Sequence, residues 1–287
     1  NGRYDCALIS LEGVVRRMHK DGLGSYRLEL AEETGTFSAF VPAQEGELPE
    51  SLVDARLRMD GTCFAIFNPR GECTGVNLRL TSPKDLEVLE RGPEDPFEAP
   101  LASSLALNRF RTGPALLHRR RLVGTVMLHR KGQFFYLMSN QRTFRVHTRQ
   151  QDPLEVGDLV EASGFVERTP HFAILTEAVF RINGHAKVPP PQKVSIDELL
   201  KGPPPGTYAL HGEDYDGALI TIQAAFLKAD RDAQGWHQLY LSHEGVVRHA
   251  ILGPDVSESE IAALVPGIAL FGGRWPTALA AVSAAQD

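Results

Sequence analysis

At 287 residues, 43% apolar and 23% charged, the chain has the make-up of a folded protein with material for two or three small domains, which excludes disorder as its main state. Its formal charge of −6 excludes a surface given over wholly to a phosphate backbone, because such binding draws its strength from many Lys and Arg. Any nucleic-acid site must therefore be local. The longest apolar runs, "GALITIQAAFL" and "IAALVPGIALFGG", are far shorter than the roughly 20 residues of a membrane-crossing helix.

The chain opens "NGRYDCALIS", with neither Met nor a signal-like apolar stretch, and the expectation is a processed or excised piece of something longer. "LEGVVRRMHKDGLGSYRLELAEETGTFSAFV" follows. It reads as a Gly-x-Val strand, a turn, an alternating strand, about six turn residues and another alternating strand. "LVDARLRMDG" is a further strand ending in Gly. Cys63 and Cys73 flank "NPRG", whose Pro and Gly suit a type I turn. Closing that turn sets Cys63 opposite residue 76 or 77, so Cys6, Cys63 and Cys73 are expected as unpaired thiols.

A linker over 96–117 carries "LASSLALNRF", expected as a short helix. Beyond it "LVGTVMLHRKGQFFYLMSNQRTFRVHT" repeats the first grammar, with "LEVGDLVEASG" as its strand ending in Gly. Leu28, Leu30, Phe37, Ala39 and Val41 then correspond to Phe135, Leu137, Phe144, Val146 and Thr148. In the second linker, 187–206, Ser195 and Glu198 have the spacing of a capping box, so "SIDELL" reads as one short helix between two triple-proline spacers. A third copy starts at "ALITIQAAFLKAD", runs through "WHQLYLSHEGVVRHAIL" and closes with "LVPGIALFGG". A period of roughly 105 to 110 residues suits a complete small domain rather than a solenoid repeat. The expected fold is all-β: three tandem five-stranded Greek-key barrels of the OB type over 1–95, 118–186 and 207–287.

The stretches "VDARLRMDGTCFAIFNPRGECTGVNLRLTSPKDLEVLERGPEDPFEAP", "HRRRLVGTVMLHRKGQFFYLMSN", "LEVGDLVEASGF" and "PPPQKVSIDELLKG" resemble the extracytoplasmic input region of a group of bacterial sensor histidine kinases. The likeness covers about residues 8–275 and rests on strand patterns rather than catalytic signatures. It implies an exported, periplasmic sensory module with an attached signalling domain. This chain contains neither a kinase motif nor a membrane anchor, as an excised input region would.

The sequence lacks a G-x-S-x-G elbow, a phosphate-loop motif and H-E-x-x-H, so a non-enzymatic role with no cofactor is expected. His237, His243 and His249 come nearest to a metal cluster, but strand alternation puts His237 and His243 on the face of Leu239 and Leu241, and no metal is expected. The segment "RRRLVGTVMLHRKGQFFYLMSNQRTFRVHTRQ", from Arg119 to Gln150, contains no carboxylate. From Leu101 to Gln151 the charge is about +10 against about −16 for the rest. Phe134, Tyr136, Arg145 and His147 should point outward from the second and third strands of the middle barrel, where OB barrels usually bind ligands. Trp236, Gln238, Tyr240 and Ser242, with Arg248 on the next strand, form the parallel face of the third unit. Arg27, Glu29, Ser38 and Phe40 are the plainer set of the first, read as spacing or packing.

Two readings of these faces stand side by side. In one, the acidic first unit, with Glu29, Glu32, Glu33, Glu45, Glu47, Glu50 and Asp54, packs on the basic middle unit, while the "LASSLALNRF" helix or a second copy covers Phe134 and Tyr136. In the other, the faces receive an external small molecule, anion, glycan or protein. The preferred function is a non-catalytic extracytoplasmic sensory region. Its rivals are a single-stranded nucleic-acid binder using the middle barrel and a glycan- or protein-binding scaffold using Trp236 and Tyr240.

Overall fold

The computed structural model describes residues 4–284 apart from 23, 44–46, 104–106, 108–116, 141, 169–172, 189, 196–218, 234, 253–255, 258, 260, 262–267 and 275–280. The first unit contains β1 (Leu8–Lys20), β2 (Ser25–Glu32), β3 (Gly35–Pro42), β4 (Arg56–Phe67), β5 (Cys73–Arg79) and β6 (Leu86–Glu90). Its order is β1-β2-β3-β5-β4, and a β1–β4 pairing closes the ring. β3 and β5 run parallel while the other neighbours run antiparallel. β6 lies against β4.

The middle unit repeats this plan with β7 (Arg120–Arg130), β8 (Phe134–Ser139), β9 (Arg142–His147), β10 (Asp158–Arg168) and β11 (Ala173–His185). It is a closed barrel with a parallel β9–β11 contact. The third unit has β12 (Gln192–Lys193), β13 (Leu219–Arg231), β14 (His237–His243), β15 (Val246–Leu252), β16 (Ile268–Arg274) and β17 (Ala281–Ala284). Its order is β15-β14-β13-β16-β17, with β12 beside β13. This is the connectivity of the other two, and no β15–β17 pairing closes it among the described residues. The architecture is all-β, built from OB-like five-stranded units in series.

Alternation explains the cores. Leu28, Leu30, Ala39 and Val41 are buried in the first barrel, and Phe135, Leu137, Phe144, Val146 and Thr148 in the second. Leu239, Leu241, Ala250 and Leu252 are buried in the third. The Gly-x-Val signature also has a packing cause. A Cβ at Gly124 would lie 2.3 Å from the Met138 carbonyl oxygen, and one at Gly13 would lie 3.2 Å from that of Ala31. Both glycines let the first strand pass close to the second.

Three expectations need revision or fall outside the described residues. Cys63 faces Leu78, not residue 76 or 77. Gly71, at φ +77°, forms a bulged three-residue turn closed by Asn68 and Glu72, and a second bulge near Phe67 adds another residue. The Ser195–Glu198 helix lies outside the described residues. Of "LASSLALNRF", residues 101–103 and 107 are described, and Leu107 enters the inner core of the middle barrel, with Ala102 against it, rather than covering Phe134 or Tyr136.

Charged side chains join the first two barrels. Asp54 is buried in the left-handed region, φ 72°. Its carboxylate accepts from the Arg119 backbone N–H at 3.2 Å and lies 3.0 Å from His118 Nδ1. Arg119 is 8% exposed and donates to the carbonyls of Ser163 and Glu177, at 3.0 Å each, with its guanidinium over Phe165. Arg17 reaches back to the Glu177 carboxylate, while Arg16 donates to the Val166 carbonyl and also faces Phe165. The internal-interface reading thus holds at Asp54, but Arg16 and Arg17 make the first unit a cation donor at this joint.

Candidate nucleic-acid and anion-binding faces

The basic stretch divides once its arginines are followed to their partners. Arg119 is spent on the joint just described. Arg121 donates to the Ala99 carbonyl and to Glu161, and Arg149 lies 3.4 Å from Glu177. Arg130 and Arg145 behave differently: no carboxylate among the described residues pairs with either, and the Nε of each is buried without a hydrogen-bond partner.

Strand register places both on the predicted outer face. Arg130, Phe134 and His147 form one cross-strand row, and Leu128, Tyr136 and Arg145 the next. The Arg145 guanidinium lies 4.1 Å from the Phe134 ring centre, and Phe134 meets Tyr136 edge-on at 5.7 Å. Arg130 reaches across to the third unit and lies 3.7 Å from the ring centre of Trp236. Arg130, not singled out from the sequence, thus connects the row of Phe134 and His147 to Trp236 of the third unit. Burial holds the pKa of Arg130 below its ordinary value, with Arg145 adding in the same direction against the pull of Asp232. Burial also lowers His147, again with help from Arg145.

This geometry corrects the expectation that Phe134 and Tyr136 are on display. They occupy the outer face, but each is only 8% exposed. Met127, Leu128, Met138 and Val188 surround them, and Arg145 covers Phe134. Bases cannot stack on rings already covered, so the face offers guanidinium groups rather than open aromatics.

In the third unit, Tyr240 is held within its own sheet, 4.6 Å from the His249 ring and under Lys228. Gln238 lies 2.9 Å from His249 Nδ1. The register pairs Arg248 with core-facing Leu241 and pairs His249 with Tyr240. His249 thus shares the row of Tyr240, and the side chain of Arg248 lies outside the described residues. His237 is buried on the opposite face from His249.

The first barrel holds the face that sequence reasoning passed over. Arg27, Phe40, Arg79 and Thr62 form one row across β2, β3, β5 and β4, and Glu29, Ser38, Asn77 and Phe64 form the next. Arg27 and Arg79 flank Phe40 at 5.8 and 5.9 Å, and Arg79 also faces Phe64 at 5.7 Å. Ser38 accepts from Arg27 at 3.2 Å. Phe64, Ile66 and Phe67 on the outgoing β4–β5 hairpin are 40%, 42% and 48% exposed. Phe64 and Arg79 carry no motif signal. They become neighbours through the β4–β5 pairing, whose two bulges no spacing rule supplies.

No family model matches the chain, and no curated protein matches it. Solved structures similar to it include a murine DNA-binding protein bound with double-stranded DNA, at 13% identity over 63% of this chain and 98% of that one, with a TM-score of 0.27. The HINa domain of Ifi202 in complex with 20-base-pair double-stranded DNA is 15% identical over 63% of this chain and 99% of that one, TM-score 0.25. An aspartyl-tRNA synthetase from Entamoeba histolytica is 13% identical over 39% of this chain and 26% of that one, TM-score 0.23.

Proposed function

We propose that the chain is a non-catalytic tandem OB-fold binding protein that takes single-stranded nucleic acid on the outer face of its first barrel. The observation that carries this reading is the exposed ring of Phe64 and the exposed Arg79 beside it, next to half-buried Arg27 and Phe40. Exposed rings accept bases regardless of sequence, and flanking guanidinium groups meet the phosphates between them. The site is small and local, as a chain of net charge −6 requires. The covered rings of the middle barrel leave that barrel only a supporting electrostatic part.

Fluorescence anisotropy with a labelled oligothymidylate tests the reading. Binding should weaken steeply as salt rises. Phe40→Ala and Phe64→Ala should each reduce it by about 5- to 100-fold, the range for losing one base–aromatic stack. Absence of binding at low salt, or binding indifferent to both substitutions, overturns the proposal. A sensory role outside the cytoplasm is the second reading. It is supported by the sequence resemblance and by side-chain contacts linking each unit to the next, through which a ligand that distinguishes two arrangements would act. A membrane helix and a histidine-kinase core encoded beside this segment would favour it.

A further inference from the structure

We infer that the meeting point of the middle and third units is a seat for a phosphate group, formed by Arg130 and Arg145 over the rings of Trp236 and Phe134. It is separate from the open face of the first barrel and does not depend on it.

Four observations converge on this place. Both guanidinium groups sit over aromatic rings, 3.7 and 4.1 Å from the ring centres, and both side chains are half-buried rather than enclosed, so each cation is held in place by its ring. Both Nε atoms are buried without an acceptor. Buried donors are normally satisfied, and an unsatisfied charged donor carries a large desolvation cost. Cross-strand register holds the two arginines on either side of Phe134, with His147 in the same row. Finally, no carboxylate pairs with either arginine among the described residues. Asp232 draws on Arg130 at longer range, and Glu167 and Glu177 act on His147.

The contrast with the first joint is informative. There Arg17, Arg119 and Arg149 converge on Glu177 or its carbonyl, so the interface supplies its own counter-charge. At the second joint the cations are assembled without an ion pair to any described acidic side chain, and Asp232 acts on Arg130 only through space. Two forks at one place suit a doubly charged tetrahedral oxyanion better than a single carboxylate. The phosphate would belong either to a free phosphorylated molecule or to a nucleic-acid backbone.

The Trp236 ring under Arg130 provides the readout. In a full-length Trp275→Phe background, Trp236 is the remaining tryptophan, and its fluorescence is followed during titration with sodium pyrophosphate against potassium chloride of equal ionic strength. A saturable change with pyrophosphate alone is expected. It should weaken at least about tenfold in Arg145→Ala and Arg130→Ala, the scale of one lost charge-assisted contact, and be unchanged in Arg70→Ala, on an exposed turn of the first unit. Arg145→Lys keeps the charge but loses the fork, so it should fall between wild type and Arg145→Ala. Circular dichroism melts confirm that each variant folds. An equal response to chloride, or pyrophosphate binding indifferent to both alanine variants, overturns the seat. Repeating the titration with an oligothymidylate in an Arg79→Ala background distinguishes the sources. An Arg145-dependent response to the oligonucleotide assigns the seat to a backbone phosphate, and a response confined to pyrophosphate assigns it to a free ligand.

Discussion

His118 illustrates how one side chain at the first joint makes stability depend on pH. Its hydrogen bond to the Asp54 carboxylate raises its pKa above the ordinary 6.5, with burial opposing and Glu90 assisting. A raised folded-state pKa means that the charged form is favoured by folding. The stabilisation is therefore fully present below about pH 6.5 and is lost as pH rises through the elevated folded value. The gap in unfolding free energy between wild type and His118→Ala, measured by urea denaturation across this range, should be largest on the acid side and shrink toward alkaline pH. Arg119 is the second residue to test. Its removal leaves the Ser163 and Glu177 carbonyls without their donor and the buried Asp54 short of positive charge. Arg119→Ala should cost about 3 kcal/mol, the scale for breaking a buried charge-paired network, read from the same denaturation curves.

At the scale of elements, the equivalent first strands β1 and β7 make a graded prediction from the same sequence grammar. Alanine at Gly124 places a Cβ 2.3 Å from a backbone oxygen that cannot step aside, whereas alanine at Gly13 meets the Phe37 ring at 3.0 Å and the Ala31 oxygen at 3.2 Å. Gly124→Ala should therefore destabilise its barrel by about 1–3 kcal/mol, and Gly13→Ala by clearly less, because only the latter has a side chain that can yield. Thermal melts of the two variants check the order. The same strands show what the sequence left open. Inward and outward sets followed from alternation in β2, β3, β8 and β9. The register of the β4–β5 hairpin did not, since each bulge shifts every later pairing by one residue and no composition rule counts bulges in advance.

For the whole molecule, Glu177 is the point where two units are held together: it takes Arg17 from the first barrel and Arg149 from its own, and its backbone carbonyl takes Arg119. Glu177→Gln keeps the shape and removes the charge. Small-angle scattering should show a larger radius of gyration for this variant than for wild type, while near-ultraviolet circular dichroism stays unchanged because each barrel has its own core. An unchanged radius would mean that Arg16 and Arg119 suffice to hold the joint. The stiff proline-rich linkers expected from sequence lie mostly outside the described residues. In the structure, side-chain contacts between the units connect them directly.

The sequence by itself determined the strand-rich class, the threefold repeat, the inner residues of each barrel and the outward placement of Phe134, Tyr136, Arg145 and His147. All of these are local or periodic properties, written into alternate positions of single strands. Tertiary structure decided which outward residues meet solvent. Arg145 and nearby apolar side chains closed over the aromatic face of the middle barrel, and a register set by two bulges opened the Phe40–Arg79–Phe64 face of the first. Accessibility is a property of surfaces brought together from distant parts of the chain, and it depends on the partner of each face as much as on the face itself.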